Sequence, residues 1–238
     1  MADAGRAPDP VATGARAHVF VTDLDRPVPS DPDRHHLERV LRLAAGDLVT
    51  LSDGAGAWRM ARLVPGRPPE PDGAIHHVAR PTPLLTVCFA PVKNERPEWV
   101  VQKLTEAGVD RIVPFAAERS VVRWDADRAV RQHRRLSRVA RASAMQCRRV
   151  WLPKVDRLTE FADAVAIPGA ALAERLGPPP TLDRPVILVG PEGGWSPGEI
   201  DVDVPHVGLG PHVLRAETAA VAAGLLLAGL RAGVVHPA

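Results

Sequence analysis

Hydrophobic positions in this chain follow two rhythms, and the change falls near residue 81. From Ala17 to about Arg80, short apolar runs are punctuated by turn residues: His18–Val21, Asp47–Asp53, Ala57–Val64 and Ala74–Arg80 read as strands. Asp53-Gly54-Ala55-Gly56 is a hairpin turn signal between two of them, since glycine tolerates the backbone conformations that tight turns require. His35 to Leu43 predicts one amphipathic helix with Leu37, Val40 and Leu41 on a shared face. Several short strands and one helix in so short a segment suggest a small barrel. Pro81-Thr82-Pro83 marks the boundary.

Beyond Pro83, strand and helix patterns alternate. Leu84–Val92 predicts a strand, Pro97–Ala107 a helix, Arg111–Ala117 a strand, and about Asp125 to Cys147 a long helix. Weaker elements fill residues 150–180. The strand Ile187–Gly190, the short helix Pro197–Ile200, the strand His206–Gly210 and an apolar closing helix Ala219–Leu230 follow. Such alternation argues an α/β fold whose mostly parallel sheet is covered on both faces. The domains expected are therefore 17–80 and 81–238. Residues 1–16 place Asp3 and Asp9 among Ala, Gly and Pro without the apolar core of a signal peptide, and read as a disordered tail. Ala219–Leu230, the longest apolar stretch, is too short to span a bilayer.

Two of the C-terminal runs carry the chemistry. Ile187–Trp195 is ILVGPEGGW and Leu209–Ala219 is LGPHVLRAETA; each passes from an apolar strand through a glycine-bearing loop into a helix. Loops of this kind let a ligand approach the backbone closely, although either alone is also an ordinary turn. GxxxxGK[ST] and GxGxxG are both absent, so a nucleotide-like ligand without a pyrophosphate fits better than ATP or NAD. Arg215, Glu217 and Thr218 form a polar cluster at the mouth of the closing helix, where orienting a ligand and capping the helix compete as roles.

Charge points to a partner. The chain of 238 residues has a net charge of only +2, yet Arg119 to Lys154 holds eleven Lys or Arg against two acids, a local balance of +9. Arg131, Arg135 and Arg138 follow helical spacing, as do Arg134, Arg138, Arg141 and Arg148, which leaves Leu136, Val139, Ala140 and Ser143 on the opposite side. One reading is a solvated arginine-rich helix. The other is an electrostatic footprint for RNA. With no tyrosine and only Trp124 and Trp151 flanking the stripe, contacts to backbone and shape are favoured over base stacking. Cys88 and Cys147 are distant in sequence, which suits a reducing cytoplasm. His35-His36 and His76-His77 lack the carboxylates that would complete a metal site, and no GxSxG nucleophile elbow occurs. Trp58 and Trp195 read as packing residues, and Asp183 and Glu199 as surface charges.

On GPEGG at Gly190–Gly194, LGxxVLRxETA at Leu209–Ala219, Lys93, Arg96, VQKLTEAGVDRIVPF at Val101–Phe115, Glu118-Arg119-Ser120 and HHLERVLRLAAGD at His35–Asp47, the chain resembles the SPOUT (α/β-knot) methyltransferases. Within them it is similar to the 16S rRNA (uracil-N3) methyltransferase family. It departs from that family at Ala142 and Met145, apolar where acidic residues are usual. The resemblance implies a trefoil-knotted C-terminal domain, a PUA-like β-barrel RNA-binding module before it, S-adenosyl-L-methionine as cofactor, 16S rRNA or the small ribosomal subunit as partner, a homodimer and a cytoplasmic location. It further implies that Leu188, Val189, Gly190, Pro191, Glu192, Gly193, Leu209, Gly210, Val213, Leu214, Arg215 and Thr218 bind the cofactor, with Arg215 and Glu217 acting in catalysis. Lys93, Arg96, Arg119, Arg123, Arg148 and Arg149 are the expected RNA contacts. A SPOUT-class methyltransferase acting on a ribose 2′-OH or on tRNA, and a non-catalytic rRNA-binding assembly factor, remain alternatives at this point.

Overall fold

The computed structural model describes residues 9–93 and 96–236. The chain divides into two compact units, residues 1–80 with 142–152, and residues 81–141 with 153–238.

In the first unit, β1 (Ala17–Phe20), β2 (Leu48–Ser52), β3 (Ala57–Arg62) and β4 (Glu70–His77) form a sheet in that order. The β1–β2 pair is parallel and the other two pairs are antiparallel. The hairpin between β2 and β3 turns on Asp53, whose Oδ1 accepts from the amides of Ala55 and Ala57 at 2.7 and 3.0 Å. The helix expected over 35–43 lies earlier: α1 (Asp31–His35) begins at an N-cap, Ser30, and runs into one wider π turn over His36–Val40. That shift separates the three residues assigned to one face. Leu37 is buried, whereas Val40 and Leu41 are exposed and Leu43, beyond the helix, takes their place in the core.

The first unit also corrects the reading of residues 9–16 as a disordered tail. Residues 1–8 lie outside the described residues, but Pro10–Thr13 forms a 3-10 helix whose N-cap Asp9 accepts from Val11 N, and Ala15 is buried. Arg148 holds this segment, donating to the carbonyls of Ala15 at 2.5 Å and Val11 at 3.4 Å. Met145, one of the departures from the family, packs against the same core as Val19, Leu37 and Leu51. An acid there would be placed against apolar neighbours.

The second unit is a parallel sheet. Its strands are β5 (Thr86–Phe89), β6 (Arg111–Ala116), β7 (Lys154–Val155), β8 (Thr159–Glu160), β9 (Ala170–Ala173), β10 (Val186–Val189) and β11 (His206–Val207). They run in the order β11-β9-β10-β5-β6-β7, with β8 also pairing β6. Both faces are covered, which explains why the central strands are continuously apolar. Val87, Phe89, Ile112 and Ile187 pack against α2 (Arg96–Ala107), α3 (Ala126–Gln146) and α6 (Ala216–Arg231) through Leu104, Leu136 and Leu227. Cys88, Val113, Phe115, Leu172 and Leu188 face the other way, toward Ala164 in α4 (Phe161–Val165) and Ile200 in α5 (Pro197–Ile200). Burial pushes the Cys88 thiol up to about 12, so it serves as a small apolar side chain. Among the described residues no helix is long and apolar enough to cross a membrane.

Candidate active site

Parallel neighbours deliver their C-terminal ends to one edge of the sheet, and in open α/β sheets that edge holds the ligand site. Here β11, β9 and β10 lie side by side, and the loops that leave them enclose a cavity of about 560 Å³. The loop after β10 contributes Gly190, Pro191, Glu192, Gly194 and Trp195, and the loop after β11 contributes Leu209, Gly210, His212, Val213, Leu214 and Arg215. The two glycine motifs therefore form facing walls of one site.

A third wall was not anticipated. Ala173, Glu174 and Arg175, at the end of β9, also line the cavity. The available signal was an apolar run, Ala170–Ala173, followed by charge and then Gly177, the same strand-to-loop grammar as the other two. The strand was too short and its alanines too indifferent to helix or sheet to stand out.

Close backbone contacts shape the first loop. A Cβ on Gly193 would sit 3.0 Å from the Arg119 carbonyl oxygen, so the 117–120 segment and the glycine loop pack closely enough that any larger residue would have to push the Arg119 backbone back by a few tenths of an ångström. Glu199, expected as a surface charge, is buried and joins the same two segments. Its Oε1 accepts from Glu118 N at 2.8 Å and its Oε2 from Ser196 N at 3.0 Å, while Ser196 Oγ accepts from Glu199 N and so closes a capping box on α5.

Of the residues assigned to cofactor binding, Val189, Gly190, Pro191, Glu192, Leu209, Gly210, Val213, Leu214 and Arg215 line the cavity. Leu188 is wholly buried one residue deeper in β10, Gly193 lies against Arg119, and Thr218 is exposed; these three are not among the lining residues. Helix α6 begins at Ala216 with Arg215 as its N-cap and no side-chain capping bond. Glu217 and Thr218 thus lie inside the first turn and do not cap it. Arg215 is exposed on the cavity rim. Glu217 is not among the lining residues and pairs with Arg96 at 3.1 Å.

The basic residues separate into different roles. Lys93, Arg119 and Arg123 are exposed, with Arg119 donating to the Trp195 carbonyl at 2.9 Å and Arg123 to that of Glu118 at 3.4 Å. Arg128, Arg131, Arg134 and Arg138 are exposed along α3, while Arg135 pairs with Glu98 at 2.7 Å and Leu136 and Ala140 are buried beneath. Arg148 and Arg149 belong to the first unit, with 142–152. Two nitrogens of the Arg148 guanidinium hold the carbonyls of residues 11 and 15, a structural role where a phosphate contact was expected.

Comparison with known proteins agrees with this geometry. The profile of an RNA methyltransferase domain matches residues 80–228, and that of an RNA methyltransferase PUA domain matches residues 29–66. The chain is 34% identical over 212 residues to ribosomal RNA small subunit methyltransferase E of Mycobacterium bovis, covering 79% of this chain and 80% of that one. In three dimensions it is similar to ribosomal RNA small subunit methyltransferase E of Neisseria gonorrhoeae, bound to S-adenosyl methionine, with a TM-score of 0.72 and 26% identity over 90% of this chain and 97% of the other. A putative methyltransferase from Legionella pneumophila in complex with the same cofactor gives a TM-score of 0.76 and 25% identity over 88% and 96%. The chain belongs to the SPOUT RNA methyltransferases, in the family of the ribosomal RNA small subunit methyltransferase E enzymes.

Proposed function

We propose that this chain transfers a methyl group from S-adenosylmethionine to N3 of a uridine in 16S rRNA of the small ribosomal subunit, in the cytoplasm. The observation that carries this reading is the joining of both glycine motifs in one cavity with Arg215 on its rim. The residues present suit the cofactor. A volume of about 560 Å³ lies within the range of about 300–1,000 Å³ usual for small-molecule sites. Val189, Leu209, Leu214 and Ala219 provide apolar walls for an adenine, and loop amides and carbonyls can meet its edge. Glu174, Glu192, Arg175 and Arg215 offer both signs of charge to a sulfonium with an amino-acid tail.

Bound there, S-adenosylmethionine supplies an electrophilic methyl on its sulfonium. The chain's part is to align a uracil with it, and alignment contributes roughly 7–11 kcal/mol in well-oriented reactions. Arg215, held at the N-cap of α6, is placed to favour the N3 anion of uracil, the nucleophilic form, by its positive charge. Glu217 is a positioning residue, since its carboxylate is tied to Arg96. The exposed arginines of α3, with Lys93, Arg119 and Arg123, supply the phosphate contacts. The family's trefoil knot and homodimer belong to the same reading, and Leu225, 56% exposed on the apolar α6, supports a second copy covering that helix.

The test is methylation of small subunits or 16S rRNA from cells lacking the modification, followed by nucleoside mass spectrometry. New 3-methyluridine is the expected product. A methyl found on a ribose oxygen, or none despite bound S-adenosylmethionine, would reject the reading.

A further inference from the structure

The cavity has three loops for walls, and one side chain joins two of them. The Trp195 Nε1 donates to the Ala173 carbonyl at 3.0 Å, joining the loop after β10 to the end of β9. Its ring lies against the α-carbon of Gly190, so closely that a Cβ there would be 3.0 Å from the indole. The ring also stacks on Phe115 of β6, with centroids 6.0 Å apart and planes at 14°, and leans on Phe161 of α4. From the other side, the Trp195 carbonyl accepts the Arg119 bond. Both Trp195 and Ala173 line the cavity.

We propose that Trp195 is a positioning residue of the cofactor site: its indole N–H and ring hold the loop ends at Ala173 and Gly190 at one separation, and this sets the affinity for S-adenosylmethionine. The inference rests on that cavity being an S-adenosylmethionine site. Its physical basis is preorganisation. Strand ends are rigid but the loops beyond them are not, and a ligand that must order a loop binds more weakly than one that meets it already in place. The aromatic stack with Phe115 anchors the ring in the buried face of the sheet, so the hydrogen bond to Ala173 transmits the rigidity of β6 to the loop after β9. Any phenylalanine would keep the stack; only tryptophan supplies the N–H.

Calorimetric titration with S-adenosylmethionine, on the full chain without RNA, decides the matter. Trp195→Phe keeps the ring and removes the donor; it should raise the Kd about tenfold and raise KM for the cofactor in step, with kcat at saturating cofactor retained. A residue that only fills space would change the melting temperature and leave the Kd of the folded protein alone. Gly190→Ala provides a second variant that removes no polar group: its Cβ displaces the indole and should also weaken binding. If the wild type fails to bind S-adenosylmethionine, the functional reading itself falls. Normal Kd values in both variants, with the wild type binding, overturn the role of Trp195.

Discussion

Arg96, in the first turn of α2, and Glu217, in the first turn of α6, form an ion pair with Nη1 and Oε1 3.1 Å apart. The arginine is 40% exposed and the glutamate 12%, so the acid is the dependent partner. Its second oxygen, Oε2, is buried without a hydrogen-bond partner among the described residues. The pair links a residue expected to touch RNA with one expected to act in catalysis, and it ties α2 to the helix that starts at the cavity rim.

Removing the arginine should therefore cost stability before it costs RNA affinity. Arg96→Ala leaves a mostly buried carboxylate unpaired, and a loss of about 1–2 kcal/mol is expected after allowance for solvent screening at the exposed arginine. Adding Glu217→Gln should recover much of it. Urea unfolding of the two single variants and the double variant measures this coupling; simple additivity would show that the pair contributes nothing.

A second clamp acts at the other end of α6. Arg231 pairs with Asp110, which also accepts from Leu85 N, and donates to the carbonyls of Pro83 and Gly108 at 3.1 and 2.8 Å. Both side chains are largely buried. Arg231→Ala takes the cation away from the buried Asp110 carboxylate and should lower unfolding free energy by about 3 kcal/mol, read by chemical denaturation, with Asp110→Asn milder because it keeps an acceptor for Leu85.

The first unit carries a pH dependence at His18, whose imidazole is buried beside Thr50 and bonded to it at 2.8 Å. Burial lowers its pKa to about 4, opposed by a hydrogen bond to the Arg149 backbone and assisted by the charge of Arg148. Between the unfolded value of 6.5 and about 4, the unfolded chain takes up a proton that the folded His18 does not. Stability should fall as pH is lowered through that window, by about 3 kcal/mol at full extent. His18→Gln should flatten this part of the profile in thermal melts from pH 7 to 4.

RNA binding should divide the arginines. Affinity for 16S rRNA fragments is expected to fall with salt at a log–log slope of about −0.7 to −0.9 per phosphate contact. Arg131→Ala or Arg134→Ala should make that slope shallower by nearly one contact. Arg148→Ala should instead loosen residues 9–16 and lower the melting temperature while leaving the slope alone, because its guanidinium already holds backbone carbonyls. An unchanged slope in both Arg131→Ala and Arg134→Ala would remove α3 as the RNA surface.

The local sequence determined most of the elements and the nature of the site. Strands such as Val186–Val189 and Thr86–Phe89 are legible because burial on both faces demands unbroken apolar runs, and GPEGG and LGPHVLRAETA are legible because close backbone approach restricts residue choice. What lay beyond it were relations between distant residues. Pairing of Arg96 with Glu217, burial of Glu199 between two loops, and capture of residues 11 and 15 by Arg148 each depend on which segments the sheet order brings together. Ala173 joined the cavity for the same reason, since β9 sits between β11 and β10 only in the folded sheet. A charged side chain announces its charge in the sequence, but whether it meets a phosphate, a carbonyl or a carboxylate is settled by tertiary neighbours, and so is its function.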